Sequence, residues 1–341
     1  MSPIRILVVD DSAFARKVLR DLFSRHPDLE VVGTARDGLE ALEKAAELLP
    51  DVMTLDLSMP GLDGLGVLRA LGGRARPKVV VVSIADSASE QGLAALEAGA
   101  VELVHKPTAL ATDRLLEMSA ELVGAVRAAA AARVPALPDP TATAAPVAVS
   151  VAPTKRIVVI GASTGGPNAV ARLLKGISAD FPVPIAVVLH LPTGYTGAYA
   201  ERLDRECGLA VREAADGVVL GAGTAVIARA GQHLKLQEHG GRLVATTDLH
   251  PVDTPHRPSV DVLFTSAAAA VGGAALGVVL TGMGDDGLAG SRAIRAAGGH
   301  VLTQTESSCV VYGMPRSVWE AGLATAEAPL SRMAAEIAAR V

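Results

Sequence analysis

Short, mostly apolar runs punctuate this chain and are separated by longer mixed stretches. Ile6-Leu7-Val8-Val9, Val52-Met53-Thr54-Leu55, Val79-Val80-Val81-Val82 and Val101-Glu102-Leu103-Val104 occupy the first third. Ile157-Val158-Val159-Ile160, Ile185-Ala186-Val187-Val188-Leu189 and Leu276-Gly277-Val278-Val279-Leu280 follow later. Runs of β-branched residues without polar alternation predict parallel strands covered on both faces. Between the early runs, Leu39, Leu42, Ala46 and Leu49 recur three or four residues apart, the period of a helix with one apolar face. Strands alternating with helices imply right-handed crossovers and a parallel sheet in each half of the chain, an α/β fold. One segment breaks this rhythm. Leu234-Lys235-Leu236 and Leu243-Val244-Ala245 flank His239-Gly240-Gly241, which predicts an antiparallel hairpin at one edge of the second sheet.

The two halves are separated by composition. An alanine-rich helix is predicted from about Thr108 to Arg133. Residues 134–153 then hold five prolines and a single charged residue, Asp139. Proline blocks both helix and sheet pairing, so this stretch reads as an extended spacer. The expected division is residues 1–124, a helix end and linker over 125–153, and a second domain over 154–341. Half of the 341 residues are hydrophobic, ample for two cores, but only 2% are aromatic, so alanine, leucine and valine must fill them. A net charge of −5 without a basic stripe argues against nucleic-acid binding. Two cysteines, Cys207 and Cys309, give no disulfide framework, and no apolar run reaches the roughly 18 residues of a membrane span. A cytoplasmic protein without membrane insertion is expected.

The later strands end in chemistry. Gly161-Ala162-Ser163-Thr164-Gly165-Gly166-Pro167 follows the first of them, with Pro167 suited to the first turn of a helix. Strand, glycine turn and helix would lift the Ser163 hydroxyl off the sheet beside free backbone N–H groups, although the same turn would also cradle a phosphate. His190 ends the next strand, and Asp285-Asp286 sit in the glycine loop after the third. In an open parallel sheet such ends share one rim. A serine hydroxyl needs a histidine to take its proton and a carboxylate to orient that imidazole. Helix capping is the alternative use of either aspartate. The chain order Ser, His, Asp also differs from the Ser, Asp, His order of α/β-hydrolases.

The first third carries a second constellation. Asp10 and Asp11, Asp56 before Met59-Pro60-Gly61, Ser83, and Lys106-Pro107 stand at successive strand ends. Three crowded carboxylates repel unless a hard cation such as Mg²⁺ joins them. Such an ion would neutralise a phosphoryl group arriving at Asp56, while Lys106 and Ser83 bind its oxygens.

Two resemblances cover most of the chain. Residues 3–122 resemble the receiver domain of two-component response regulators, which implies a doubly wound, flavodoxin-like sheet of five parallel strands. Asp56 would be the phosphoacceptor and Asp10 and Asp11 the metal-binding acids. Leu103 stands where many receivers carry an aromatic that swings inward on phosphorylation. Residues 154–341 resemble the chemotaxis protein-glutamate methylesterases of the CheB type. The resemblance is carried by Gly161–Gly166, His190 with Pro192, His256-Arg257-Pro258-Ser259-Val260-Asp261-Val262-Leu263-Phe264, Thr281-Gly282-Met283-Gly284 with Asp286-Gly287, and Ser308–Pro315. It implies a Rossmann-like domain in which Ser163 is the nucleophile, His190 the general base and Asp286 the orienting carboxylate. Thr164 and Met283 would lie beside the nucleophile, the Met283 N–H serving an oxyanion. Arg229-Ala230 and Thr254-Pro255 depart from the usual family pattern. The implied substrates are methylated glutamates, and secondarily glutamines, on methyl-accepting chemotaxis receptors. The implied phosphodonor is a chemotaxis histidine kinase, and Mg²⁺ is the implied ion of the receiver. No cofactor is expected for the esterase.

Overall fold

A computed structural model describes residues 2–72, 77–83, 85–106, 112–133 and 154–341. The expected linker lies outside the described residues, as do Pro107 and the first residues of the alanine-rich helix. The chain divides into two compact units, Met1–Leu137 and Pro138–Val341.

The first unit alternates strands and helices throughout: β1 (Ile4–Val9), α1 (Ala13–Phe23), β2 (Leu29–Ala35), α2 (Gly38–Leu48), β3 (Val52–Leu55), α3 (Gly64–Leu71), β4 (Lys78–Ser83), α4 (Ala85–Glu97), β5 (Glu102–His105) and α5 (Thr112–Ala131). Its five strands pair in parallel in the order β2-β1-β3-β4-β5. The sheet grows outward in both directions from β1 and β3, so the switch point lies at the ends of those two strands. Short polar residues start the helices that follow β1, β2 and β3: Ser12 accepts the Ala15 N–H, Asp37 that of Glu40, and Asp63 that of Gly66.

Helix α2 corrects one detail. Of the predicted stripe, Leu39 and Leu49 are 63% and 69% exposed; the buried face is Gly38, Ala41 and Ala45. The reason is close approach to α3. A Cβ on Gly38 would meet the Leu62 carbonyl oxygen at 2.3 Å, so only a face of small residues fits.

The second unit comprises β6 (Ile157–Ala162), α6 (Gly166–Lys175), β7 (Ile185–Leu189), α7 (Thr196–Glu206), β8 (Ala210–Glu213), β9 (Val218–Leu220), β10 (Thr224–Ile227), β11 (His233–His239), β12 (Arg242–Asp248), α8 (Val260–Val271), β13 (Ala275–Val279), α9 (Leu288–Ala296), β14 (His300–Gln304), α10 (Met314–Glu320), β15 (Ala326–Ala328) and α11 (Leu330–Ala338). Seven parallel strands run in the order β15-β14-β13-β6-β7-β10-β8, and β6 stands at the switch between β13 and β7.

The predicted hairpin is present as β11 and β12, turning at Gly240 and Gly241 with φ of +58° and +80°. It does not extend the edge of the parallel sheet. It joins β9 in an antiparallel sheet of three strands. The alternation explains why: Leu234, Leu236, Leu243 and Ala245 are buried on one face, in one core with Leu263, Phe264 and Ala267 of α8. A strand pair apolar on one side gains more from covering a helix than from lengthening a sheet edge. The Leu236 N–H also donates to Ser266 Oγ of α8. Helix α8 is thus held between the hairpin and the strands β6, β7 and β13.

Candidate active site

Strand β6 delivers Ser163 to the rim. Its N–H donates to the Thr281 carbonyl at 3.0 Å, and Gly166 N–H donates back to the Ser163 carbonyl at 2.6 Å, closing a tight turn. Gly165 carries the left-handed conformation of that turn, φ +74°, and a Cβ there would strike Val310. Among the described residues Leu49 alone combines positive φ with a side chain, so Ser163 is not the strained residue. This differs from the nucleophile elbow that Gly161-x-Ser163-x-Gly165 suggests, in which the serine occupies the sharp turn. Pro167 falls in the first turn of α6, as expected.

Gly282 lies flush against this turn: a Cβ on it would come within 2.9 Å of Ser163 Cβ and 2.3 Å of Met314 Sδ. Gly282→Ala is therefore expected to displace the serine and lower turnover by about 10²-fold. The check is kcat on an ester beside a thermal melt; unaltered kcat would mean that the loop yields at no functional cost.

His190 reaches the same place from β7. Its backbone N–H donates to the carbonyl of Ala162, the residue before Ser163, at 3.1 Å. Its Nε2 lies 2.9 Å from Asp286 Oδ2. Asp286 is buried and accepts from three further donors: Ser259 Oγ at 2.9 Å, Val260 N–H at 2.8 Å and Asp261 N–H at 2.9 Å. Those donors open α8, whose N-terminal end favours a negative charge. Burial alone would raise the Asp286 pKa. The hydrogen bond and charge of His190, with the two helix N–H groups, outweigh it and bring the carboxyl down to about 2. An ionised carboxylate can only accept, so Nε2 donates to Asp286, and in the neutral imidazole this leaves the lone pair on Nδ1. Asp285, one residue upstream, is exposed.

Thr164 is buried beside the serine, and Met283 is 45% exposed. Neither the Thr164 N–H nor the Met283 N–H finds an acceptor among the described residues. Thr281 braces the loop between them. Its hydroxyl donates to the Thr164 carbonyl at 3.0 Å and accepts the N–H groups of Val310 and Val311, while its own N–H donates to buried Gln304.

The His256–Phe264 motif stands out along the chain, but its residues have no task that the sequence alone assigns. In the structure His256 stacks on His190, with ring centroids 4.2 Å apart and planes 20° apart. Ser259 caps α8 and also binds Asp286. Asp261 Oδ1 accepts the N–H groups of Gly287 and Gly290, fastening the loop of Asp286 to α8. The available signal was Ser259 standing just before an apolar helical run, an N-cap pattern.

The first unit gathers its own predicted group. Carboxylate oxygens of Asp10, Asp11 and Asp56 all lie within 4.8 Å of one another. Lys106 Nζ is 2.5 Å from Asp10 Oδ2 and 3.1 Å from Asp56 Oδ2. Burial raises the Asp10 pKa against the pull of Lys106. Burial works against the charge of Lys106 too, but Asp10 and Asp56 more than offset it and raise the ammonium pKa. Ser83 is buried at the end of β4, and its carbonyl accepts the Lys106 N–H. The donor set suits a small hard cation: three oxygen ligands on two neighbouring loops, with more negative charge than one lysine balances. Leu103, three residues before the lysine, is buried in β5.

Comparison with known proteins matches both units. Residues 158–337 match the family described as CheB methylesterase, and residues 6–119 the response regulator receiver domain. The protein-glutamate methylesterase/protein-glutamine glutaminase 5 of Myxococcus xanthus is 63% identical over 340 residues, covering 98% of this chain and 97% of that protein. A protein-glutamate methylesterase/protein-glutamine glutaminase of Geobacillus kaustophilus is 43% identical over 99% of this chain and 98% of its own. The crystal structure of the Thermotoga maritima CheB methylesterase catalytic domain is 37% identical, with a TM-score of 0.54, over 55% of this chain and 99% of that one. No helix among the described residues is long and apolar enough to cross a membrane. With matches that run nearly end to end and a receiver preceding the catalytic unit, this chain belongs to the CheB methylesterase family.

Proposed function

We propose that the chain hydrolyses glutamate γ-methyl esters on chemotaxis receptors, releasing methanol, and deamidates receptor glutamines at the same centre. The observation that carries the reading is the His190–Asp286 pair, with Asp286 fully engaged by donors and His190 pinned beside the turn of Ser163. Ser163 Oγ attacks the γ-carbonyl while Nδ1 of His190 takes its proton. The N–H groups of Thr164 and Met283 are the unengaged donors at hand for the oxyanion. The tetrahedral intermediate then expels methanol, or ammonia from glutamine, which leaves with the proton held by His190. Water attacks the resulting glutamyl ester, gives its proton to Nδ1, and the free carboxylate and Ser163 are restored. Asp286 holds the imidazole in the required tautomer and balances its transient charge. Methanol release from methylated receptor fragments, against none from generic short-chain esters, tests the substrate class; the opposite preference would point to a small-metabolite esterase.

The receiver supplies control. Asp10, Asp11 and Asp56 would hold Mg²⁺, which neutralises the incoming phosphoryl oxygens when bound. Asp56 is the acceptor, Lys106 and Ser83 bind the phosphoryl oxygens, and a histidine kinase is the donor. Phosphorylation at Asp56 raises esterase turnover. A small phosphodonor with Mg²⁺ is expected to label the protein and increase its rate. Asp56→Asn should abolish both responses, and chelation should block labelling. Labelling that persists in Asp56→Asn would contradict the acceptor, and labelling without a divalent ion would contradict the role of the acidic cluster.

A further inference from the structure

We propose that His256 is a positioning residue for the general base: its ring forms a wall against the face of His190 and fixes the plane in which Nδ1 meets Ser163. The inference rests on the assignment of His190 as the base. The hydrogen bond from Nε2 to Asp286 holds one edge of the imidazole, but the second torsion of a histidine side chain is broad and leaves the ring free to tilt about that bond. A second aromatic ring at 4.2 Å and nearly parallel removes that freedom.

The wall is itself anchored. Thr254 Oγ1 donates to the His256 carbonyl at 3.1 Å and lies 3.1 Å from Nε2 of His233. His233 is fully buried; its Nδ1 accepts the Ser259 N–H at 3.2 Å and its Nε2 lies 3.0 Å from the Pro251 carbonyl. Gly231 N–H donates to the Arg257 carbonyl from the neighbouring loop. Three residues further on, the same segment supplies Ser259, Val260 and Asp261, which hold Asp286. One stretch of six residues thereby grips the imidazole by its face and its partner carboxylate by both oxygens.

The stack also has a charge requirement. His190 becomes cationic when it takes the serine proton, and a neutral ring beside it tolerates that cation where a second imidazolium would repel it. The charged groups around His256 are His190, Asp286 and Asp285. Loss of solvent around its ring, and next His190, outweigh the two carboxylates and hold its pKa below the usual histidine value.

The test compares His256→Ala and His256→Phe in the full-length chain, by turnover on methylated receptor fragments and by reaction with a fluorophosphonate, which needs an activated serine but no receptor. In His256→Ala, kcat and the phosphonylation rate should both fall on the order of tenfold to hundredfold with KM nearly unchanged. His256→Phe should recover most of that loss and retain more of its rate below neutral pH than the wild type does. Phosphonylation of His256→Ala at the wild-type rate would overturn the proposal. So would a His256→Phe variant as slow as the alanine, which would mean that a ring nitrogen contacts substrate directly. A wild-type protein inert to the phosphonate would refute Ser163 as nucleophile, a distinct failure.

Discussion

Ser163→Ala should reduce ester turnover by about 10⁴-fold or more while leaving the fold intact. The fold survives because the turn rests on backbone contacts, Ser163 N–H to Thr281 and Gly166 N–H to Ser163, and on the left-handed Gly165. None of these involves the hydroxyl. The chemistry does not survive, because the only residual assistance is binding and whatever the free N–H groups give to an attacking water. His190→Ala should fall as far, and the double variant scarcely further, since the two act as a unit. Methanol release gives the rate, and far-ultraviolet dichroism with a melt gives the fold. Retention of more than a tenth of wild-type turnover by Ser163→Ala would remove the serine from the mechanism.

Asp286→Asn should depress kcat nearly as far, by about 10⁴-fold, and should also weaken the fold. All four partners of Asp286 are donors, two at each oxygen: Ser259 Oγ and Asp261 N–H at Oδ1, Val260 N–H and His190 Nε2 at Oδ2. An amide can accept at one end only, so its NH₂ faces a fixed backbone donor whichever way it is turned, Asp261 N–H on one side or Val260 N–H on the other. Stranding such buried groups costs about 2 kcal/mol or more. If the NH₂ faces His190, the imidazole must also adopt the wrong tautomer. Asp285→Asn, at an exposed position, should change both quantities little. The reverse ranking would transfer the role upstream. The pH dependence has a defined sign. The Asp286 pKa is lower in the folded chain than in the unfolded one, so its contribution to stability is complete above about pH 4 and is lost as pH falls toward about 2. Asp286 therefore stays ionised at milder acidity.

What could be read from the residues was the set of strand ends. Ile157–Ile160, Ile185–Leu189 and Leu276–Leu280 are buried on both faces, so each announces itself as an apolar run, and the group that follows marks the rim. The same logic placed Asp10, Asp56, Ser83 and Lys106. Strands with mixed faces were less legible: Leu29–Ala35 carries Glu30, Gly33 and Thr34, and Val218–Leu220 is only three residues long. The hairpin was visible from its alternation and paired glycines, but its partner was not, because covering α8 depends on a helix some twenty residues away in sequence. His256 and His233 were invisible as functional residues for a related reason. Their tasks arise from how a loop folds back over β7 and β11, which no local period encodes.

The fourfold engagement of Asp286 makes the three members of the centre unequal in evolutionary terms. Ser163 can be lost at little cost to folding and His190 at the cost of one donor to a buried carboxylate, whereas Asp286 also serves as the anchor for the first turn of α8 and the loop of Ser259. A descendant drifting toward a purely signalling, non-catalytic life would shed its serine first and keep its aspartate longest. In a distant homologue, an intact aspartate is then evidence of shared architecture alone, and the proposed nucleophile is the position that would report retained chemistry.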